Sequence, residues 1–423
     1  MFVFLRKNVF FPYFFTRCKD IKIWEKILLL PKISQFIIMI YLDNSATTFP
    51  KPDCMYEFMS GFYKKHGVNP GRSGFDAAIE TEEVVQKTRK MMTELLNGGA
   101  DFNRLTFSYN ASDSLNLIIQ GLADPSAHVI TTMLEHNSVL RPLYCLKEEG
   151  KLQDVTYLPF DNDGYVNPED FRKAIRPNTK LVVCTHCSNV LGTFQPLHEI
   201  GKICKEHGLI FVVDGSQGAG AIKTDMQADN IDVYVFTGHK CLMGPTGIGG
   251  SYVREGVDIK HTRYAGTGVR SAYPKHLDEY PYRLEYGTLN LVGVAGLYAG
   301  VSWVLEQGIE NIHKREMELW EKLRKGIQNV KGVITYCANF PERKNPVLPF
   351  NIAGFEAADV GMMLDVDYDI ACRTGLQCAP KVHERIGTID MHGTVRFSIG
   401  AFNTETDIDA AIQAVTEIAA IKN

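Results

Sequence analysis

A chain of 423 residues with 45% hydrophobic and 22% charged residues is long enough to bury a large core and to form two or three domains of about 150 residues each. Its formal net charge of −4 carries no polyanion-binding signal, so nucleic acid is not an expected partner. Ten cysteines scattered over this length make no disulfide framework; several fall in apolar strand-like runs, as reduced thiols of a cytoplasmic protein do.

Residues 1–38 differ from the rest: "MFVFLRKNVFFPYFFTRCKD" is aromatic and basic, broken by Pro12, and followed by no small-residue cleavage site. The apolar run from Ile33 to Leu42 is about half of the ~20 residues a membrane helix needs, so no membrane association is expected. We expect an extension outside the fold. Met39 then opens "MIYLDNSATT", which reads as the start of the folded chain, the pattern a misassigned upstream start codon would leave.

From about 105 to 255 short apolar runs alternate with helical stretches. "HVITTML", "LVVCTHCS", "LIFVVDGS" and "DVYVFTGH" are nearly continuous in hydrophobicity and rich in β-branched residues, the pattern of strands covered on both faces. Between them "NPEDFRKAI" opens on Asn167 as cap with Pro168 behind it, and "PLHEIGKICKEHG" stops at Gly208. Strands about 28 residues apart with a helix between are βαβ units, so the fold class is α/β with a mostly parallel sheet.

After about 290 a helical region runs from Leu291 to roughly Val330, interrupted near Gly308. Short strands follow at "GVITYC", "VLPFNI", "DIACRTG" and "TVRFSIG", then a last helix with Thr404 and Asp407 in capping-box positions. The expected organisation is a segment 39–60 packing on the small domain, a large domain over 61–294 and a smaller α+β domain over 295–423.

In open parallel sheets ligands bind beyond the carboxyl ends of the strands. The polar residues there are Ser112 and Asp113; Glu135, His136 and Asn137; Asn189; Asp214 and Gln217; and Thr237, His239 and Lys240. Alone, each has an ordinary reading: a turn aspartate, a solvated His-Lys pair, a glycine turn in "GPTGIGG". A nucleotide P-loop is rejected, because Lys240 precedes the glycines instead of following them. As a set they match the needs of a pyridoxal phosphate enzyme. Such an enzyme needs a lysine for the Schiff base, here Lys240, and a carboxylate beside the pyridine nitrogen, here Asp214. It also needs hydroxyls at a helix N-terminus for the phosphate, a place Ser112 can fill.

Over roughly residues 40–420 the chain resembles the cysteine desulfurase and selenocysteine lyase branch of the class V aminotransferase-like, fold-type I pyridoxal phosphate enzymes. "YLDNSATT", "EHNSVLRP", "SNVLGT", "VDGSQGAGA", "TGHKCLMGPTGIGG", "YGTLN" and "RTGLQCAP" occur in family order. The resemblance implies that His136 stacks on the cofactor ring, Asn189 contacts its phenolic side, and Asp214 and Gln217 meet the ring. It assigns Ser112, Thr237 and His239 to the phosphate and Lys240 to the Schiff base. Thr288 would reach the phosphate of a partner subunit, implying a homodimer, and Arg396 would bind the substrate carboxylate.

Desulfuration needs a thiolate that becomes a persulfide. Cys184 and Cys187 resemble a CxxC pair, but on a strand they would face opposite sides, and no metal is expected. Cys241 is expected to be structural, and Cys145 and Cys204 to lie in the core. Cys378, in a short loop between a glycine and a proline, falls on the family's persulfide position. Two departures stand out: Leu376 and Gln377 occupy positions where many relatives carry histidine, and Phe75 replaces another. The expectation is a cytoplasmic homodimer that converts L-cysteine to L-alanine and passes sulfur to an acceptor protein. Selenocysteine lyase, class V aminotransferase and an idle cofactor-binding scaffold are the alternatives.

Overall fold

The computed structural model describes residues 39–70 and 75–422; the extension expected over 1–38 lies outside the described residues. The residues from Ile40 onward form one compact unit. It opens with β1 (Ile40–Tyr41), α1 (Asp53–His66) and α2 (Asp76–Leu96). The alternating section follows: β2 (Leu105–Ser108), α3 (Ala111–Leu122), β3 (His128–Thr132), α4 (Asn137–Glu148), β4 (Asp154–Leu158), α5 (Pro168–Ala174), β5 (Thr179–Thr185), α6 (Leu197–Glu206), β6 (Ile210–Asp214), β7 (Val233–Thr237) and β8 (Gly249–Val253).

These strands form one seven-stranded sheet in the order β2-β8-β7-β6-β5-β3-β4. The ladder from β4 to β7 is parallel, and β8 pairs antiparallel with both β7 and β2. Every residue of β3 and β7 is buried, as a strand covered by helices on both faces requires. Asn167 caps α5 through the Glu169 N–H with Pro168 in the first turn, and Gly208 takes φ 64° beyond α6. The antiparallel β8 was not expected. Its sequence "GGSYV" has low strand propensity, but a Cβ on Gly250 would strike the Phe236 ring, so close strand packing dictates the glycine.

The remaining elements are α7 (Leu291–Gln307), α8 (Ile309–Ile327), β9 (Val333–Thr335), β10 (Val347–Ile352), α9 (Ala357–Tyr368), β11 (Ile370–Ala371), β12 (Arg373–Gly375), α10 (Pro380–Ile386), β13 (Thr394–Ser398) and α11 (Glu405–Ala420). Strands β12-β13-β10-β9 make an antiparallel sheet, and α11 begins with the Thr404–Asp407 capping box. A second core, built on Trp320, Leu323, Phe350 and Phe397, lies with this sheet. Residue 294, where a division was expected, lies inside α7, whose Leu291, Val294, Leu297 and Val301 pack in the large core; α7 gives way to α8 at Gly308 (φ 82°). The segment 39–60 also divides. Leu42 packs in the small core and β1 pairs with β11, whereas α1 lies on α7, with Phe58 and Tyr298 rings 5.4 Å apart.

Candidate active site

The carboxyl ends of β5, β6 and β7 open on a cavity of about 290 Å³. Ser112, His136, Asn189, Asp214, Gln217, Thr237, His239, Lys240, Cys378 and Arg396 all line it, brought from five strand ends and the small sheet. Thr288 is exposed and does not line the cavity of its own chain. Glu135 sits behind the wall instead of on the rim. It is fully buried, accepting from Thr132 Oγ1 (2.7 Å) and Thr185 N (2.9 Å), and burial pushes its carboxyl up to about 8.

Lys240 follows β7 in a loop held by its carbonyls. Thr48 Oγ1 donates to Lys240 O (2.5 Å), and Lys51 Nζ donates to His239 O (2.6 Å), with Thr47 Oγ1 also on His239 O (3.1 Å). The early segment "TTFPK" therefore grips the lysine loop, a contact that no local pattern signals. Burial lowers the Lys240 ammonium below the ordinary lysine range, and Asp214 opposes the shift. Asp214, at the end of β6, is 3% exposed; its Oδ1 accepts from Ser216 N (3.0 Å) and Ser216 Oγ (2.5 Å).

His136 is the N-cap of α4. Its Nδ1 accepts from Ser138 N (3.1 Å), which leaves the ring proton on Nε2, and burial lowers the ring below the ordinary histidine range. Ser112 lies in the first turn of α3, whose cap is Asn110, and shares a 2.6 Å hydrogen bond with Ser138. Gln217 is tied through Nε2 to Ser45 O (2.8 Å). Asn110, Ser138, Ser216, Ser45 and Arg373 line the same cavity and were missed. The strand-end rule looks only just past each apolar run; Asn110 alone carried a signal, as an asparagine opening a helix.

Arg396, on β13, is 2% exposed; Nη2 donates to Asp43 Oδ1 (2.6 Å) and Nη1 to Asn189 O (2.8 Å). Its Nε, Thr237 Oγ1 and His239 Nδ1 are buried polar atoms with no partner in the protein. Burial lowers His239 to about 4. Such orphans are costly unless something occupies the cavity. A phosphate fits them: Thr237 Oγ1 and the first turn of α3 supply donors, and a Cβ on Gly249 would strike the Asn110 main chain at that turn. Buried Asp214 and half-buried Lys240 complete a set of groups that suits pyridoxal phosphate.

All nine described cysteines are free. Among them, Cys378 is the one exposed thiol that lines the cavity. Cys187 also lines it, but lies beyond the end of β5, is 1% exposed, and has its thiol pushed far up by burial. Cys184, Cys204 and Cys241 are likewise raised by burial, Cys241 to about 12. Cys145 corrects an expectation: it is exposed, because α4 buries Val139, Leu143 and Leu146, and Cys145 points with Arg141 into an outer groove. Among the described residues no cluster of His, Cys, Asp or Glu could hold a metal, and no helix is long and apolar enough to cross a membrane.

Comparisons bear on this site. Residues 40–411 match the family model described as aminotransferase class-V. A probable cysteine desulfurase of Methanothermobacter thermautotrophicus is 31% identical over 90% of this chain and 94% of that protein. The cysteine desulfurase IscS of Clostridium botulinum (strain Hall) is 31% identical over the same shares. Among solved structures, a cysteine desulfurase from Thermococcus onnurineus NA1 superposes with a TM-score of 0.82 at 30% identity, covering 90% of this chain and 95% of that one.

Proposed function

We propose, from the premise that this chain belongs to the class-V aminotransferase family and to its cysteine desulfurase branch, that Cys378 takes the sulfur of L-cysteine as a persulfide in a site loaded with pyridoxal phosphate. The observation that carries this reading is the exposed Cys378 thiol on the same cavity as Lys240, Asp214 and Arg396. Bound there, the cofactor supplies an electron sink for the bonds around the substrate Cα.

The protein's own groups do the rest. Buried Asp214 would hold the ring nitrogen protonated in the bound cofactor. Ser112, Thr237 and His239, which line the cavity, would hold the phosphate end, and His136 and Gln217 would hold the ring. Arg396 orients the substrate carboxylate through donors left over from Asp43 and Asn189. Lys240, with its ammonium lowered by burial, has more neutral amine at working pH, and Nζ moves the Cα proton. The Cys378 thiolate attacks the substrate sulfur: an S–S bond forms, the Cβ–S bond breaks, and its electron pair goes to Cβ, which is then protonated. The balance is Cys378 thiol plus cysteine giving Cys378 persulfide plus alanine.

Thr288 belongs to the site of a second copy in this reading, which its exposure permits. The test is mass spectrometry of the loaded protein after exposure to cysteine. A mass gain of one sulfur on Cys378, absent from Cys378→Ser together with alanine release, is expected. Full alanine production by Cys378→Ser overturns the reading.

A further inference from the structure

The loop that presents Cys378 has an uncommon backbone. Gln377 (φ 41°) and Cys378 (φ 58°) are consecutive non-glycine residues in the left-handed region. Each carries a steric penalty there, so surrounding contacts must hold the shape. The main chain supplies some of them. Gln377 O accepts from Asn189 Nδ2 (2.7 Å), Cys378 O accepts from Asn137 N (2.7 Å), and Leu376 O accepts from Ala379 N (2.9 Å).

The side chain of Gln377 supplies the rest. It is 6% exposed, while its neighbours Leu376 and Cys378 stand in solvent. Its Nε2 donates to Thr394 O (2.8 Å), and its Oε1 accepts from His383 Nε2 (3.0 Å). With the proton on Nε2, the opposite ring nitrogen, His383 Nδ1, is left to accept from Thr388 Oγ1 (2.7 Å). His383 and Thr394 are fully buried, so these bonds are shielded from water. The carboxamide matches this place: it gives one donor to a carbonyl and one acceptor to a ring N–H. A carboxylate would face the Thr394 carbonyl, and an apolar side chain would leave His383 Nε2 without its Gln377 partner.

We propose that Gln377 is a positioning residue: its buried amide, bound to His383 and Thr394, locks the strained loop that holds Cys378 at the cavity mouth. The loop meets the substrate end of the site separately, through its main chain: Asn189, which donates to Gln377 O, accepts from Arg396 through its own carbonyl, and a change of the Gln377 side chain leaves those bonds in place. The proposal rests on the desulfurase reading of Cys378.

Its test uses the cofactor-loaded protein. In Gln377→Met the cysteine concentration that half-saturates the spectral change should stay within about 2-fold of wild type, since Arg396 and Lys240 are untouched. The single-turnover rate of persulfide formation on Cys378 should fall by about 10-fold or more, as expected when a reacting atom loses its placement. Amide hydrogen exchange over residues 376–379 should quicken. Gln377→Gly tolerates the positive φ but has no amide, and it should show the same loss; it also serves if the methionine variant fails to fold. Leu376→Ala should match wild type. Wild-type persulfide rates in Gln377→Met or Gln377→Gly, beside an inactive Cys378→Ser, overturn the positioning role alone. Full alanine production by Cys378→Ser overturns the desulfurase reading beneath it.

Discussion

Asp214 accepts both Ser216 hydrogen bonds on one oxygen and is almost wholly buried, so its charge needs a cationic partner inside the cavity. Asp214→Asn should keep part of the bound cofactor and lose about 10²-fold in turnover, the scale for removing a preorganised charge; steady-state alanine production checks it. Lys240→Ala should abolish the absorbance of the Schiff base between the protein and its cofactor, read directly by spectrophotometry. Glu135 makes a prediction about stability. An unfolded glutamate loses its proton near 4.5, whereas burial holds the folded one to about 8. Between those values the folded state binds more protons, so stability falls as pH rises through this window and levels off above it. Glu135→Gln removes that contribution. Its melting temperature relative to wild type should rise from pH 5 to pH 8 and converge below pH 4.5. Had Glu135 met a cation that the fold does not provide, the difference would run the other way.

The elements on the β2 edge are joined by one buried ion pair. Arg89 on α2 meets Glu285 in two bonds of 2.7 and 2.6 Å, and Glu285 Oε1 also accepts from Phe107 N on β2 (2.7 Å). Both side chains are buried, so Glu285→Ala strands a charge and should cost about 3–5 kcal/mol in denaturant unfolding. Glu285 is three residues before Thr288, so the same clip steadies the loop assigned to the partner's site. None of this was legible, because a charged pair 196 residues apart has no local signature. What was legible came from periodicity and caps: the parallel strands β3, β5, β6 and β7, the α5 cap and the α11 capping box. Cys145 was misplaced for a related reason. Apolar neighbours show that α4 is amphipathic, but one residue's step around the helix decides between core and groove. Gln377 was visible only as a departure; its partners His383 and Thr394 became apparent once β13 lay beside the loop.

At the scale of the whole molecule, sharing of sites between copies predicts complementation. Mixing Lys240→Ala chains with Thr288→Ala chains gives mixed dimers with one site carrying both defects and one carrying neither, so alanine production should partly return. No recovery, with mixed dimers shown by native mass spectrometry, removes the shared site. The grip of residues 47–51 on the lysine loop has a further consequence, which concerns the order in which the chain is made. These residues leave the ribosome early, yet the carbonyls they hold belong to His239 and Lys240. Their neighbours Leu42 and Asp43 wait longer still, for Ala371, Arg396 and Ser398. A growing chain can close its large sheet once β8 has emerged, but the cavity then still lacks Cys378 and Arg396. Nascent chains halted at residue 365 should therefore fold the large sheet and release no alanine from cysteine. In this reading the groups that meet the substrate are the last to be made, so turnover waits for the finished polypeptide.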